Sequence, residues 1–72
     1  MANATPVLKN RLRVLRAEKD ISQEVLANAV GVSRQTIVAI EGEDYSPSVV
    51  LALKLARYFG KPMEEVFTLQ GG

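Results

Sequence analysis

One short segment carries an unusual set of side chains on one side of a predicted helix. Residues 33–41 are predicted to form a helix, and at 100° per residue Ile37 and Ile40 fall on one side of it. The opposite side carries Arg34, Gln35, Val38 and Ala39. Arginine can bond bidentately to guanine, glutamine to adenine, and apolar groups can contact the methyl group of thymine. A face that is only solvated would carry glutamate and lysine, so the pattern favours a helix that reads bases in a major groove.

The segment from Gln23 to Gly42 has the spacing of two short helices joined by a tight turn. Such helices cross steeply, which requires a small residue where they touch and a residue with positive φ in the turn. Ala27 and Gly31 meet these two requirements. The buried contacts between the helices are predicted to come from Leu26, Val30, Val32, Ile37 and Ile40. The pattern predicts a helix-turn-helix. An ordinary αα-hairpin without a ligand is the alternative, which the outward residues of the second helix disfavour.

Serine, proline and glycine residues predict where the other helices begin and end. The predicted elements are helix 1 from Val7 to Lys19 with Leu8, Leu12 and Leu15 on one face, helix 2 from the Ser22 cap to Val30, helix 3 from the Ser33 cap to Glu41, helix 4 from Pro47 or Ser48 to Phe59, and helix 5 from Pro62 to Phe67. Residues 1–6 are expected to form a flexible arm and residues 68–72 a short tail. The expected fold class is all-α, a compact bundle of five helices in a single domain over residues 1–72.

The composition excludes several classes of function. The 72 residues contain no cysteine and no histidine, which excludes a disulfide framework, a thiolate metal site and a histidine general base. The net charge of +1 is low for a nucleic-acid-binding protein, but most basic residues lie in the first half of the chain. No secretory or membrane-spanning segment is evident, so the cytoplasm of a prokaryote, or of a phage's host, is the expected location. A chain this short is marginally stable alone, which favours self-association.

From about Leu8 to Phe67, the sequence resembles the Cro and phage-repressor family of helix-turn-helix regulators, also called the xenobiotic-response-element family. The motifs that carry the resemblance are ISQEVLA, GVSRQTI, the YSPS turn, LALKLARYFG and MEEVF. The resemblance implies a bundle of four or five helices whose third helix lies in the major groove of double-stranded DNA. Short members of this family resemble dimeric repressors that end in a small β-strand, so a C-terminal strand at a dimer interface is an expectation here.

The resemblance also implies roles for individual residues. It implies base contacts from Arg34, Gln35, Val38 and Ala39, and contacts with the DNA backbone or an adjacent base from Ser33 and Thr36. Gln23 would touch a phosphate and brace the recognition helix. Its place at a helix N-terminus independently favours a phosphate, because free N–H groups and the helix dipole attract anions. Arg16 and Glu41 are implied to form an ion pair, with two independent surface charges as the alternative.

The turn after the recognition helix departs from the family pattern. It reads GEDYS, where family members often carry a basic residue. Its shape is expected to depend on Gly42 and Pro47, so that Glu43 and Asp44 have no structural role and repel the DNA backbone. The aromatic residues Tyr45, Tyr58 and Phe59 are expected in the core or at its edge.

A dimer interface is expected where helix 5 meets the tail. The residues predicted to line it are Met63, Val66, Phe67 and Leu69. Residues 67–69 have a composition that favours a strand and could pair with their own copy. Val14 and Val50, which are apolar where the family usually has polar residues, would either add to a dimer surface or be isolated exposed valines.

These observations favour a homodimeric repressor that binds an inverted-repeat operator in double-stranded DNA, with no cofactor and no membrane partner. An antitoxin or controller protein that binds both DNA and a partner protein would have the same fold and is the alternative. A protein-interaction module that has lost DNA binding would account for the acidic turn and the low net charge. An enzyme is not expected, because histidine, cysteine and any nucleophile motif are absent, and a small-molecule inducer is not expected to bind within this domain.

Overall fold

The computed structural model describes residues 6–71, which form five helices and a two-stranded sheet. The elements in chain order are β1 (Val7–Asn10), α1 (Leu12–Lys19), α2 (Gln23–Val30), α3 (Arg34–Glu41), α4 (Val49–Phe59), α5 (Met63–Val66) and β2 (Phe67–Gln70). The expected bundle of five helices is confirmed, with a small sheet added to it. Of the expected arm, only Pro6 lies within the described residues, and Gly72 of the expected tail lies outside them. Within residues 6–71, no helix is both long enough and apolar enough to cross a membrane.

Serine side chains cap three of the helices. Ser22, Ser33 and Ser48 have extended backbone conformations, and each hydroxyl accepts a hydrogen bond from the backbone N–H three residues later. A cap of this kind stabilises a protein by about 1 kcal/mol. The predicted caps at Ser22 and Ser33 are confirmed, and Ser48 rather than Pro47 caps α4, which begins at Val49. Gly31 ends α2 at a φ of +78°, a left-handed conformation that glycine adopts without steric strain.

The prediction that the first helix begins at Val7 is wrong, because residues 7–10 form a strand. This strand, β1, pairs antiparallel with β2, so that Leu8 lies opposite Leu69. Leu8 packs against the core from the strand, while Leu12 and Leu15 are buried from α1. The helical spacing of these three leucines therefore arises from two different elements. The C-terminal strand that the family resemblance implies is present as β2, and it pairs with β1 of its own chain.

Asn10 separates the strand from helix α1. Its Oδ1 accepts a hydrogen bond from the backbone N–H of Leu12 at 3.1 Å, and its Nδ2 donates to the backbone carbonyl of Ile40 at 2.8 Å. The first bond satisfies an amide at the start of α1 that has no partner within the helix. The second ties β1 to the end of α3. Asn10 thus joins the start of α1 and the sheet to the end of α3.

All five helices and β2 contribute to one hydrophobic core. Its members are Leu12, Leu15, Leu26, Ala27, Val30, Ile37, Ile40, Leu51, Ala52, Leu55, Ala56, Phe59, Val66 and Phe67. Four of the predicted contact residues between α2 and α3 are fully part of this core, together with Ala27, and Val32 packs against it while partly exposed. The packing holds α2 and α3 against each other, as the predicted helix-turn-helix requires.

The three aromatic residues considered from the sequence lie in different surroundings. Phe59 is buried and Tyr58 is half-buried, with the two rings packed edge to face at 5.1 Å between centroids. Both lie in the core or at its edge, as expected. Tyr45 does not, because 51% of its surface is exposed. The expectation for Tyr45 was wrong, since it lies in a turn whose residues 42–46 are all exposed.

Candidate nucleic-acid interface

Helix α3 buries one side and exposes the other. Ile37 and Ile40 are 0% and 1% exposed, which anchors the helix on the core. Three predicted base-contacting residues, Arg34, Gln35 and Val38, are exposed, and the fourth, Ala39, is half-buried. The outward side of the helix therefore offers an arginine, an amide and small apolar groups, which together match what base edges in a major groove can bind.

Ser33 and Thr36 lie at the beginning of this helix. The Ser33 Oγ accepts a hydrogen bond from the backbone N–H of Thr36 at 3.2 Å, and the two side-chain hydroxyls lie 3.0 Å apart. Ser33 is exposed, whereas Thr36 is half-buried. The Ser33 hydroxyl thus caps the N-terminus of α3, and the Thr36 hydroxyl lies next to it. The DNA contacts assigned to them from the family resemblance stay a prediction.

Gln23 connects the start of α2 with both ends of α3. Its Nε2 donates to the Oε1 of Glu41 at 3.1 Å, and its Oε1 accepts from the Nη2 of Arg34 at 3.4 Å. A carboxylate only accepts hydrogen bonds, so Glu41 turns the amide nitrogen of Gln23 towards itself and its oxygen towards Arg34. This is the brace that the family resemblance implies. The phosphate contact of Gln23 stays a prediction.

The predicted ion pair between Arg16 and Glu41 is present and bidentate. The Arg16 Nε donates to Glu41 Oε2 at 2.6 Å, and its Nη2 donates to Glu41 Oε1 at 3.0 Å. The remaining Nη1 of Arg16 donates to the carbonyl of Ile21 at 3.1 Å. The side chain of Glu41 is only 1% exposed and that of Arg16 15% exposed. The alternative of two independent surface charges does not hold.

The surroundings of Glu41 keep it ionised although it is buried. Burial alone would raise the pKa of its carboxyl group. Hydrogen bonds from Arg16 and Gln23, together with the charges of Arg16 and Arg13, outweigh burial, so the pKa lies below its usual value of 4.5. The hydrogen bond with Glu41 raises the pKa of Arg16 in turn. Both groups therefore stay charged at neutral pH.

Arg13 is a further basic residue near this network, and no role was predicted for it from the sequence. Its Nε lies 3.8 Å from Glu41 Oε1, while 76% of its side chain is exposed. Three arginines, Arg13, Arg16 and Arg34, thus lie around the one buried carboxylate, either bonded to it or linked through Gln23. This cluster of three arginines and one carboxylate carries more positive than negative charge, although the net charge of the chain is only +1. The three-residue spacing of Arg13 and Arg16, which places them on one side of a helix, is the signal that could have identified it.

The acidic turn has a structure that was not expected. Glu43, not Gly42, adopts the left-handed conformation, with a φ of +65°, whereas Gly42 has a φ of −80°. The Oε1 of Glu43 also accepts a hydrogen bond from Lys9 Nζ at 3.1 Å, which links the turn to β1. The expectation that Glu43 has no structural role was therefore wrong. Asp44 remains exposed. Its backbone N–H donates a hydrogen bond to the carbonyl of Ala39 in α3 at 2.9 Å.

The residues predicted to form a dimer interface are not all accessible. Val66 and Phe67 are 1% and 7% exposed, because they complete the core of a single chain. Their side chains cannot contact a second copy, and that part of the prediction was wrong. Met63 is half-buried, whereas Leu69 is 70% exposed. β2 pairs with β1 of its own chain, and this pairing uses one of its two edges.

The sequence matches the helix-turn-helix family HTH_3 over residues 12–66, a stretch that contains all five helices. A relative from Bacillus subtilis (strain 168), the uncharacterized HTH-type transcriptional regulator YgzD, is 51% identical over 63 residues, which are 88% of this chain and 96% of the relative. The cryptic phage CTXphi transcriptional repressor RstR of Vibrio cholerae is 37% identical over 60 residues, which are 83% of this chain and 54% of the repressor.

Solved structures show the same arrangement of helices. The restriction-modification controller protein C.AhdI from Aeromonas hydrophila has a TM-score of 0.69 and 37% identity over 75% of this chain and 78% of the controller protein. A protein from Bacteroides fragilis has a TM-score of 0.75 and 26% identity over 85% of this chain and 98% of its own. With the family match, the relatives and the geometry of α2 and α3 in agreement, the chain belongs to the helix-turn-helix family of the Cro and phage-repressor type, and it is a DNA-binding transcriptional regulator.

Proposed function

We propose that this regulator binds an inverted-repeat operator as a homodimer, with α3 of each copy in the major groove, and that it represses transcription. The observation that carries the proposal is the outward side of α3, where Arg34 and Gln35 are exposed and Arg34 is held by Gln23. The N-terminal end of a recognition helix is the part that reaches base edges. Repression is supported by the similarity to a phage repressor. The protein acts by binding, not as an enzyme, and its place is the cytoplasm.

The test of this function is binding to the DNA upstream of its own reading frame. We expect a gel shift or a fluorescence anisotropy change with this region at a stated salt concentration, and much weaker binding to random duplex. Binding that is equal for both kinds of DNA would show that the protein does not recognise an operator. No binding to either would favour the interaction module that has lost DNA binding.

The dimer follows from the small number of base pairs that one copy can read. A two-fold dimer doubles the site and places the half-sites one helical turn apart, roughly 34–36 Å. Several exposed apolar residues could form such an interface. Among them are Val49 and Leu53, one turn apart on α4 with 71% and 51% of their surface exposed, and Leu69 on β2 with 70% exposed. We expect a second copy of the chain to cover Leu69 in place of the buried Val66 and Phe67.

Replacing Leu69 by glutamate is expected to weaken the dimer, because a charge would be buried against the partner. Sedimentation at micromolar concentration should show the wild type as a dimer and Leu69→Glu shifted towards monomer, with weaker operator binding. Thr68→Glu is the matched control, since Thr68 is exposed on the opposite face of the same strand. A wild type that sediments as a monomer would contradict the dimer, and equal behaviour of the two variants would move the interface elsewhere.

A controller protein that also binds a partner protein is the second candidate. The specific observation in its favour is the similarity of the fold and sequence to the restriction-modification controller protein C.AhdI. Pull-down from lysate with the wild type and with Leu69→Glu separates the two functions. A partner retained by both, in addition to operator binding, would favour the controller.

Asp44 is expected to keep binding to DNA weak. It is exposed directly after the recognition helix, and unlike Glu43 it makes no ion pair within the described residues. Duplex DNA carries one negative charge per roughly 1.7 Å of its axis, so an acid close to the backbone is repelled. Asp44→Lys should therefore raise the affinity for specific and random DNA alike. It should also steepen the dependence of log affinity on log salt by about 0.9 for each new phosphate contact in each subunit.

Salt titrations of the wild type, Asp44→Lys and Glu64→Lys check this expectation. Glu64→Lys is the control, because Glu64 is exposed on α5, a different helix, and gives the same change of charge. An unchanged affinity and slope for Asp44→Lys would show that the turn stays clear of the DNA backbone. A fall in affinity would show that Asp44 positions the recognition helix or binds a partner.

A further inference from the structure

Asn10, at the end of β1, makes two hydrogen bonds to elements on either side of it. Its Oδ1 accepts from the backbone N–H of Leu12 at 3.1 Å, and its Nδ2 donates to the backbone carbonyl of Ile40 at 2.8 Å. The N–H of Leu12 can only donate, so it fixes which end of the Asn10 amide faces α1. The NH₂ group of Asn10 therefore faces the end of α3.

The backbone of Asn10 is anchored in the core. In the sheet, Asn10 lies opposite Phe67, and the backbone N–H of the next residue, Arg11, donates to the carbonyl of Val66 at 3.0 Å. Phe67 and Val66 are 7% and 1% exposed. The side-chain bond of Asn10 therefore ties Ile40 to residues that are held by the core, not to a loop.

The last turn of α3 is the part of the helix that receives this bond. The carbonyl of Ile40 also accepts from the backbone N–H of Glu43 at 3.0 Å, and the Glu43 carboxylate accepts from Lys9 Nζ at 3.1 Å. Lys9 and Asn10 are the last two residues of β1, and both contact the segment in which α3 ends. The Lys9 contact is the weaker of the two, because 43% of its side chain is exposed.

The direction of a short helix depends on how both of its ends are held. α3 has eight residues and is about 12 Å long, so a displacement of about 1 Å at one end tilts its axis by about 5°. Its first end is held by the Ser33 cap. Hydrogen bonds to base edges weaken when their distance or angle changes, so the amide of Gln35 can read a base only while this tilt stays small.

We infer that Asn10 is a positioning residue for operator recognition, because its bond to Ile40 sets the tilt of α3 from the end opposite the Ser33 cap. The inference rests on the proposed docking of α3 in the major groove. Asn10 acts through Ile40 and does not itself contact DNA. Loss of the bond lowers the affinity for the operator, whereas binding to random duplex, which depends on phosphate contacts, changes little.

Asn10→Ser tests the inference without a change of charge. A serine hydroxyl can accept the local bond from the N–H of Leu12, but it is too short to reach Ile40. We expect operator binding that is about three- to tenfold weaker, and a change of at most about twofold on random duplex. Fluorescence anisotropy well below the melting temperature of each variant measures both affinities. Ala56→Gly is the control for stability, because a glycine within α4 also lowers the melting temperature and leaves the bond to Ile40 in place.

Amide hydrogen exchange observes the end of α3 directly. The backbone N–H groups of Gly42 and Glu43 donate to carbonyls of the last turns of α3. We expect both to exchange faster in Asn10→Ser than in Ala56→Gly, whereas the N–H of Thr36, at the capped end, should exchange alike in the two variants. Equal exchange of Gly42 and Glu43 in the two variants would overturn the inference.

Gln35→Ala separates a failure of this inference from a failure of the docking model. If Gln35→Ala loses operator binding, but Asn10→Ser loses no more than Ala56→Gly, the role of Asn10 alone is wrong. An equal loss on operator and random duplex for Asn10→Ser would also overturn that role, because the position of base contacts does not affect binding to random sequence. If Gln35→Ala binds the operator like the wild type, the docking of α3 is wrong as well.

Discussion

Replacing Glu41 by alanine is expected to lower the free energy of unfolding by about 3 kcal/mol, the lower end of the cost of breaking a buried ion pair. The carboxylate is 1% exposed and receives hydrogen bonds from Arg16 and Gln23. Its removal leaves the guanidinium of Arg16, which is 15% exposed, with only the carbonyl of Ile21 as a partner. In a domain of this size, the melting temperature should fall by more than about 10 °C.

Glu43→Ala is the control, because Glu43 is an acid two residues away whose ion pair with Lys9 is partly exposed. The side chains of Lys9 and Glu43 are 43% and 34% exposed, and pairs of this kind contribute about 0.2–1 kcal/mol. Thermal unfolding of the two variants gives the comparison. Equal melting temperatures would show that the Arg16–Glu41 pair contributes no more than a surface contact.

The stability that Glu41 provides should also depend on pH. Its pKa is lower in the folded protein than its usual value of 4.5, so its contribution is complete above that pH and is lost as the pH falls through the folded-state pKa. The difference in melting temperature between the wild type and Glu41→Gln should therefore be constant near neutrality and shrink below about pH 4.5. A difference that stays constant down to pH 3 would contradict the assignment of this linkage to Glu41.

Replacing Gln35 by alanine is expected to weaken operator binding by about 1–3 kcal/mol, or roughly 5- to 150-fold, with little change on random DNA. Gln35 is exposed in the middle of the outward side of α3 and makes no hydrogen bond within the described residues. Its whole amide is thus available to a base. Arg34→Ala should cause a loss of similar size, although it also removes the partner of Gln23 Oε1. Gln35→Ala is for that reason the cleaner variant.

Fluorescence anisotropy with operator and random duplexes at one salt concentration measures both affinities. Gln70→Ala and Arg57→Ala are matched controls, an exposed glutamine on β2 and an exposed arginine on α4. Equal losses on both kinds of DNA would mean that Gln35 and Arg34 contact phosphates and read no bases. No loss on either kind would refute the placing of α3 in the major groove.

The features that the sequence alone determined depend on residues three or four positions apart. The serine caps of α2 and α3, the left-handed Gly31, and the separation of Ile37 and Ile40 from Arg34 and Gln35 follow from local hydrogen bonding and from the period of a helix. The same local information indicated the family. The local pattern was therefore enough to predict the bounds of α3 and the residues on its outward side, without any tertiary contact.

The features that only the tertiary structure decided depend on partners far along the chain. Residues 7–10 fit a helix by spacing, but they form a strand because β2 lies beside them, some sixty residues later. Val66 and Phe67 are buried in the core of one chain, whereas Leu69 on the paired strand stays exposed. The backbone N–H and C=O groups of a strand need hydrogen bonds from a neighbouring strand, and a local sequence pattern does not indicate which segment that neighbour is.

The turn and the ion-pair network show the same limit. The left-handed conformation of Glu43 and the exposure of Tyr45 result from how α3 is joined to α4, where Lys9 of the sheet holds Glu43. The bonds that join Arg16, Gln23 and Arg34 through Glu41 form because packing brings together side chains from three helices. The sequence determined which groups lie on the exposed side of α3. The hydrogen bonds that hold Arg34 and Gln23 in place were decided by the fold, because such a bond forms only where packing sets the distance and angle between two groups.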